Sequence, residues 1–507
     1  MKKLIGLALL TLLTSFKTLA QTNFLKDSLD NYINREMQRW QIPGVAIAIV
    51  KEGKTIVMKG YGVREEGKPD KVNEFTLFQI ASNTKAFTGT ALALLDYQKR
   101  ISLDDKVTKY LPWFQLKDPC ATEMVTIKDI LCHRIGFYTF QSDFLNWDCN
   151  MTTDALIKNM RNVKPVNEFR AKYGYCNMGY VTAGEVIKAA TDTAWQDFFN
   201  FHFFKPLQMN RSSVYHQKIV TDTNAAKPYT LVDNKLVLLD YANIDNIGAC
   251  ASINSCVNDI SHWIMMQLNN GKYDNTEVIP SAVINTTQNS FMIVRESGST
   301  RILSNHFQNY GLGWKSEDMY GYKIISHDGG ANGFVTNTTL IPELNAGFVI
   351  LTNTDANWFY GALRQQLINY FANQSYTNVS ENYFATYSKN HLTESQEIQK
   401  LKKQSNAEVH LNVAFAELIG KYSNEVYGEM EIKNEESGLT MFFSHHPKLR
   451  GFLKPLSEKS LLCTFNDPTY GIHAFPFEVV NGKVNNITVK VNDFIDYQYY
   501  KFTKKNN

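Results

Sequence analysis

The sequence predicts an α/β (α+β) chain in two parts: an antiparallel sheet flanked by helices with a helical insert, then a small C-terminal β-barrel or sandwich. Three observations lead there. Apolar strand patterns stand at both ends of the segment 24–375, at 44–50 near its start and at 322–326, 334–341 and 346–353 near its end. Mixed helix and loop patterns fill residues 100–320 between them. Residues 415–507 read as some seven short strands rich in Tyr, Phe and Val, separated by turn residues. The chain has 507 residues, 44% hydrophobic and 20% charged, which is globular material for two domains rather than one.

Residues 1–20 read as a secretory leader. Lys2 and Lys3 give a charged start, 4–13 an apolar middle, and Thr18-Leu19-Ala20 a small-x-small cleavage site before Gln21. The expected location is periplasmic or secreted, in a bacterium. No cysteine stands at the cleavage point, so a lipid anchor is not indicated. Removing the leader deletes three lysines and no acids, which takes the formal net charge from +3 to 0. A neutral chain has no bulk attraction to nucleic acid or to an anionic membrane. After the leader no apolar run reaches the roughly 18 residues of a membrane span. Seven cysteines in an exported chain leave at least one unpaired; Cys250 with Cys256, or Cys120 with Cys149, are open as pairs. They form no C-x-x-C, so no metal is expected.

Residues 24–39 place Leu25, Leu29, Tyr32, Ile33 and Met37 on one helical face. Strand 44–50 is apolar throughout, and Glu52-Gly53 turns it into 54–59 as a hairpin. Next comes Ser82-Asn83-Thr84-Lys85, the only Ser-x-x-Lys in the chain, leading into the wholly apolar 91–95. Residues three apart share a helical face, so hydroxyl and amine can meet. A buried lysine loses basicity until it can take the hydroxyl proton, which makes a nucleophile. The alternative is that Ser82 only caps the helix. Against it, a capping box wants Glu or Gln where Lys85 stands, and the helix dipole opposes a cation in the first turn.

Tyr175 and Asn177 lie in a loop-like stretch with two glycines, Gly174 and Gly179, and Tyr175 follows Ser82 by 93 residues. A tyrosine there can relay a proton when cationic neighbours lower its pKa; a packed loop tyrosine is the alternative. His327-Asp328-Gly329-Gly330 is the only His-x-Gly among eleven histidines, at the end of an expected strand with a turn at Gly329-Gly330. Glycines there let a substrate lie against backbone and leave N–H groups for an oxyanion; an incidental hairpin turn is the alternative. Residues 376–414 are polar and read as a helical linker between a domain at 21–375 and the β-rich 415–507.

Taken together, Ser82-x-x-Lys85, Tyr175-x-Asn177 and His327-x-Gly329 resemble, in order, the three motifs of the serine β-lactamase-like family. That family holds class C β-lactamases, D,D-carboxypeptidases, D-aminopeptidases and related esterases. Leu131-Cys132-His133 and Tyr310-Gly311-Leu312-Gly313-Trp314 also look like it, and residues 415–507 resemble a β-rich domain appended to some members. The resemblance implies a β-lactamase/transpeptidase-like fold and catalysis without a cofactor. Ser82 would attack a carbonyl while Lys85 and Tyr175 shuttle its proton, and Asn177 would orient substrate and Lys85. The N–H groups of Ser82 and Gly330 would form the oxyanion hole. His327 departs from the family's lysine, and with Gly330 it leaves both a permanent charge and a hydroxyl missing. A neutral histidine anchors a carboxylate poorly. The expectation is therefore an aminopeptidase- or esterase-type hydrolase acting on a small molecule or peptide, ahead of a penicillin-binding carboxypeptidase or β-lactamase. A non-catalytic scaffold or ligand sensor is the reading from another class. Oligomeric state is open. No Gly-x-Ser-x-Gly or His-Glu-x-x-His occurs, which disfavours α/β-hydrolase and zinc chemistry.

Overall fold

A computed structural model describes residues 24–296 and 305–505, so the expected leader at 1–20 lies outside the described residues. The first part is built on eight strands: β1 (Gly44–Lys51), β2 (Lys54–Gly62), β3 (Met292–Glu296), β4 (Phe307–Tyr310), β5 (Lys315–Met319), β6 (Tyr322–Ala331), β7 (Phe334–Ile341) and β8 (Ala346–Thr352). They form one sheet in the order β2-β1-β8-β7-β6-β5-β4-β3 with antiparallel pairings throughout. Strands from both ends of this segment meet in it, β1 pairing with β8, as the strand patterns predicted. Glu52 and Gly53, both at positive φ, turn β1 into β2.

Both faces of the sheet are covered. Val45, Ile47 and Ile49 of β1 pack with helices α1 (Leu29–Trp40) and α4 (Phe359–Phe371). Ala46, Ala48 and Val50 point the other way, into the core that holds helix α2 (Thr84–Tyr97). Strands buried on both faces read as continuous apolar runs, which is why β1 shows no alternation. Every residue of α2 from Thr84 to Leu95 is buried, and Phe87 stacks on Trp263 at 3.9 Å. Helix α3 (Asn177–Thr191) lies beside α2 in the insert.

Two expectations need correction. Gly329-Gly330 is not a turn: β6 continues through it, pairing Gly329 with Thr336 and Gly330 with Val335, and the chain reverses at Asn332-Gly333. The glycines serve close approach, described below. The end of the region expected as mixed helices and loops also supplies strands: β3 at Met292–Glu296, β4 at Phe307–Tyr310 and β5 at Lys315–Met319.

Helix α5 (Val379–Ser405) follows, and eight antiparallel strands between Gly420 and Lys504 then close into a barrel through the Tyr422–Lys504 pairing. The sequence suggested some seven strands and left barrel or sandwich open. Tyr422, Met441, Leu461, Phe475, Ile487 and Phe502 are fully buried in the barrel's core. Phe144 of the insert joins them, stacked on Tyr427 at 4.6 Å and on His446 at 5.4 Å. Among the described residues no helix is long and apolar enough to cross a membrane.

Candidate active site

Ser82 sits in a single tight turn, Ala81–Asn83, that runs straight into α2. Ala81 ahead of it takes φ 45°, a left-handed conformation that costs a non-glycine residue about 1–2 kcal/mol. The turn is held by one carbonyl. Ile80 O accepts from Asn83 N–H at 3.2 Å, Asn83 Nδ2 at 3.1 Å and Thr336 Oγ1 at 3.1 Å. The Ser82 side chain caps no helix end. It is partly exposed in an otherwise buried run, and its Oγ accepts from Lys85 Nζ at 3.0 Å.

Lys85 is fully buried. Its ammonium also donates to Asn177 Oδ1 at 2.7 Å and to the Cys250 carbonyl at 3.0 Å. Burial holds its pKa below the ordinary 10.5, while Cys250, Asp143 and Cys176 pull the other way. The amine faces the rings of Tyr175 at 4.8 Å and Tyr180 at 5.6 Å.

The stretch that carries Tyr175 and Asn177 is clipped in place by backbone. Gly174 N–H donates to His133 O at 2.9 Å, Tyr175 N–H to Thr139 Oγ1 at 3.1 Å, and Cys176 N–H to His133 Nδ1 at 3.0 Å. Because Nδ1 accepts, neutral His133 carries its proton on Nε2. Burial keeps that imidazole well below 6.5. Burial also pushes the Tyr175 phenol well above 10, and its bond with Ser82 only partly opposes this. Tyr175 is therefore a neutral phenol, and any relay through it starts from the protonated form. Asn177 donates from Nδ2 to Asp143 Oδ2 at 2.6 Å. Asp143 is buried, and burial together with Asp496 raises its carboxyl to about 7.

His327 closes the opposite side. Its Nε2 meets Tyr310 OH at 2.9 Å and its Nδ1 meets Asp328 O at 2.6 Å. Burial first, then Lys315 and Lys85, hold it well below 6.5, so it is uncharged at neutral pH. Lys315 is itself paired with Asp328 at 3.0 Å. The β5–β6 ladder ends at Lys315–Ser326, which leaves the edge of 327–331 on that side free of strand. A Cβ on Gly329 would lie 2.1 Å from Ile80 O and 2.5 Å from Thr336 Oγ1. Only glycine lets β6 lie against the turn that carries Ser82. A Cβ on Gly330 would stand 3.2 Å from the ring of Phe494, a barrel residue.

The barrel thus reaches the rim of this cleft. Tyr497 stacks on Phe140 at 5.6 Å, and Phe140 meets the Tyr175 ring edge-on at 5.5 Å. Phe494 also borders a cavity of about 680 Å³ between the barrel, α5 and the segments around Thr230 and Asp355. Sequence reasoning did not single out Asp143, Thr139 or Asp496, and His133 and Tyr310 entered only through family-like phrases. None of them sits at a diagnostic spacing from Ser82. All seven cysteines are free, so neither open pairing forms. Burial raises the Cys176 thiol to about 12, which makes it a packing residue rather than a reactive one.

Comparisons with known proteins bear on the family and the fold. The chain is 29% identical over 361 residues to Protein flp of Staphylococcus aureus (strain MW2), covering 69% of this chain and 68% of that one. It is 28% identical over 350 residues to the unguisins hydrolase ungD of Aspergillus violaceofuscus, covering 64% and 61%. The octameric penicillin-binding protein homologue from Pyrococcus abyssi shares the fold, with a TM-score of 0.60 at 19% identity over 94% of this chain and 99% of that one. Residues 412–504 match a domain of unknown function, DUF3471. Residues 29–371 match the beta-lactamase family model, and the chain belongs to that family.

Proposed function

We propose that this chain is an exported serine hydrolase of the aminopeptidase or esterase type, cleaving an amide or ester through an acyl-Ser82 intermediate. One observation carries the reading: a fully buried amine, held below its ordinary pKa, donates to the hydroxyl of a partly exposed serine at 3.0 Å. In its neutral form Lys85 takes the Ser82 proton as Oγ bonds to the carbonyl carbon. The N–H groups of Ser82 and Gly330 hold the oxyanion. Tyr175, a neutral phenol, protonates the leaving group and takes back a proton from the Lys85 ammonium, which regains its free base, while Asn177 keeps Lys85 aimed at Ser82. Water then releases the acyl group.

The substrate ranking rests on the third motif. Neutral His327 and the Asp328-paired Lys315 offer no free cation for a substrate carboxylate, which favours amides and esters over carboxylate-bearing β-lactams. The partly exposed rings of Phe494, Tyr497 and Tyr138 suit a substrate with an apolar flank. A relative named for hydrolysis supports the reaction class.

The test is to incubate the mature protein with a fluorophosphonate, a fluorescent penicillin, a p-nitrophenyl ester and D-amino-acid amides. Fluorophosphonate labelling and ester or amide turnover are expected, both lost in Ser82→Ala and in Lys85→Ala. No adduct and no turnover with any probe would sink the enzyme reading in favour of a scaffold. Stable penicillin labelling would reverse the substrate ranking. Amino-terminal sequencing of the exported form checks the leader, with Gln21 as the expected first residue.

A further inference from the structure

The short helix Asp143–Asn146 faces two ways. Phe144 is buried among Tyr427, Phe443, His446, Tyr470 and Tyr500 of the barrel. Asp143, one residue earlier, turns toward the candidate active site and accepts from Asn177 Nδ2, whose Oδ1 accepts from Lys85 Nζ. The peptide between them is held by the barrel: Phe144 N–H donates to Asp496 Oδ2 at 3.1 Å. Asp496 is fully buried and is fixed in turn by Tyr500 OH on Oδ2 and by Gln498 N–H on Oδ1 at 2.8 Å. From the barrel to the amine beside Ser82 the path therefore runs through one backbone hydrogen bond, the Asp143–Phe144 peptide and two side-chain hydrogen bonds.

We propose that Asp496 of the barrel is a positioning residue for the active site, which holds the Asp143–Phe144 peptide and sets, through Asp143 and Asn177, the basicity of Lys85. The proposal rests on the reading of Ser82 and Lys85 as nucleophile and base. Its physical content is a balance between two buried carboxyls. Asp496 opposes ionisation of Asp143, and an ionised Asp143 favours the ammonium form of Lys85. With Asp496 charged, Asp143 holds its proton up to about pH 7, which favours the free-base form of Lys85. Asn146 Nδ2 donates to the other carboxyl oxygen, Oδ1, at 3.3 Å, and the other titratable groups facing Asp143 are Lys85 on α2, Cys176 ahead of α3, Cys250 on the adjoining helix Gly248–Ala251 and Tyr500 of the barrel. Asp496 also faces Lys490, whose ammonium donates to its backbone carbonyl. The barrel is then part of the catalytic unit rather than an appendage.

The experiment titrates Lys85 in the full chain by ¹³Cε-lysine NMR, its resonance assigned by its loss in Lys85→Ala, alongside the pH profile of fluorophosphonate labelling. Asp496→Asn removes the like charge, so Asp143 ionises more readily. The Lys85 midpoint and the acid limb of labelling both move to higher pH, and labelling at neutral pH slows several-fold. Both shifts vanish when Asp496→Asn is made in an Asp143→Asn background. A purely structural role slows labelling at every pH and leaves the midpoint in place, and that result overturns the proposal, as does a shift that persists without Asp143. Should Asp496→Asn fail to fold, Tyr500→Phe weakens the Asp496 carboxylate in the same direction and must move the midpoint likewise. An NMR shift without any wild-type labelling would sink the hydrolase reading and keep the carboxyl coupling; labelling with an unmoved midpoint does the reverse.

Discussion

Gly329 has room for a hydrogen and nothing larger, because Ile80 O and Thr336 Oγ1 occupy the place of a side chain. Gly329→Ala must push β6 away from the turn that carries Ser82. A displacement of about 1 Å at a catalytic group costs about 100-fold in rate, and that loss of fluorophosphonate labelling is expected here. Gly330→Ala meets only the partly exposed Phe494 ring, which can yield, so its loss should be smaller. Equal losses in the two variants would contradict this account. Lys85→Arg keeps the charge but supplies no neutral base, so labelling should fall at least about 100-fold. In the wild type Lys85 is protonated as pH drops through its depressed pKa, so labelling should climb with pH along a limb below the 10.5 of a free lysine. At this scale the sequence was informative where chemistry sits on short spacings. Ser82 with Lys85, Tyr175 with Asn177, and His327 with Gly329 each lie within three residues of one another. Asp143 and Tyr310 bond to Asn177 and His327 from separate segments; no local pattern marks Asp143, and Tyr310 showed only as the head of a family-like phrase.

Elements with an apolar run or an apolar face were readable, and elements built of polar residues were not. Continuous burial made β1 plain, and an apolar face made α1 plain. Strand β5 is Lys315-Ser316-Glu317-Asp318-Met319, a polar run whose place is set by Glu317 pairing with Arg364 and Lys315 with Asp328. Nothing in its hydropathy announces a strand. Long-range polar pins also escape sequence reading. The start of α5 is fastened to α1 by Ser380, whose Oγ accepts from Trp40 Nε1 at 2.9 Å and donates to Glu36 Oε2 at 2.7 Å. Ser380→Ala strands a buried indole N–H and removes a bond from a buried carboxylate. The expected cost is about 1–3 kcal/mol, read as a lower urea midpoint with an unchanged slope. A midpoint equal to wild type would show that this pin contributes nothing to stability.

At the scale of the whole molecule, a shift in composition separated the barrel from the sheet-bearing part, but the manner of their joining was invisible. Phe144 N–H and Asp496 are 352 residues apart, and pairing between two distant segments leaves no periodic trace. The joint has a pH dependence that can be worked out from His446. This barrel residue is buried, stacks on Phe144, and with Nε2 donates to the Trp147 carbonyl at 2.8 Å. Its Nδ1 then accepts from Tyr427 OH, so both ring nitrogens are satisfied only in the neutral form. Burial accordingly lowers its pKa from 6.5 to about 4. Below pH 6.5 the unfolded chain takes up this proton and the folded one does not. The contribution is therefore complete above about pH 6.5 and is lost as pH falls toward about 4, by up to about 3 kcal/mol. His446→Gln offers a donor and an acceptor but cannot titrate. Denaturation midpoints between pH 7 and pH 4 should fall more steeply for the wild type than for His446→Gln, since other buried groups act equally in both. Parallel slopes would mean that His446 is not the group through which acid loosens the barrel from the insert.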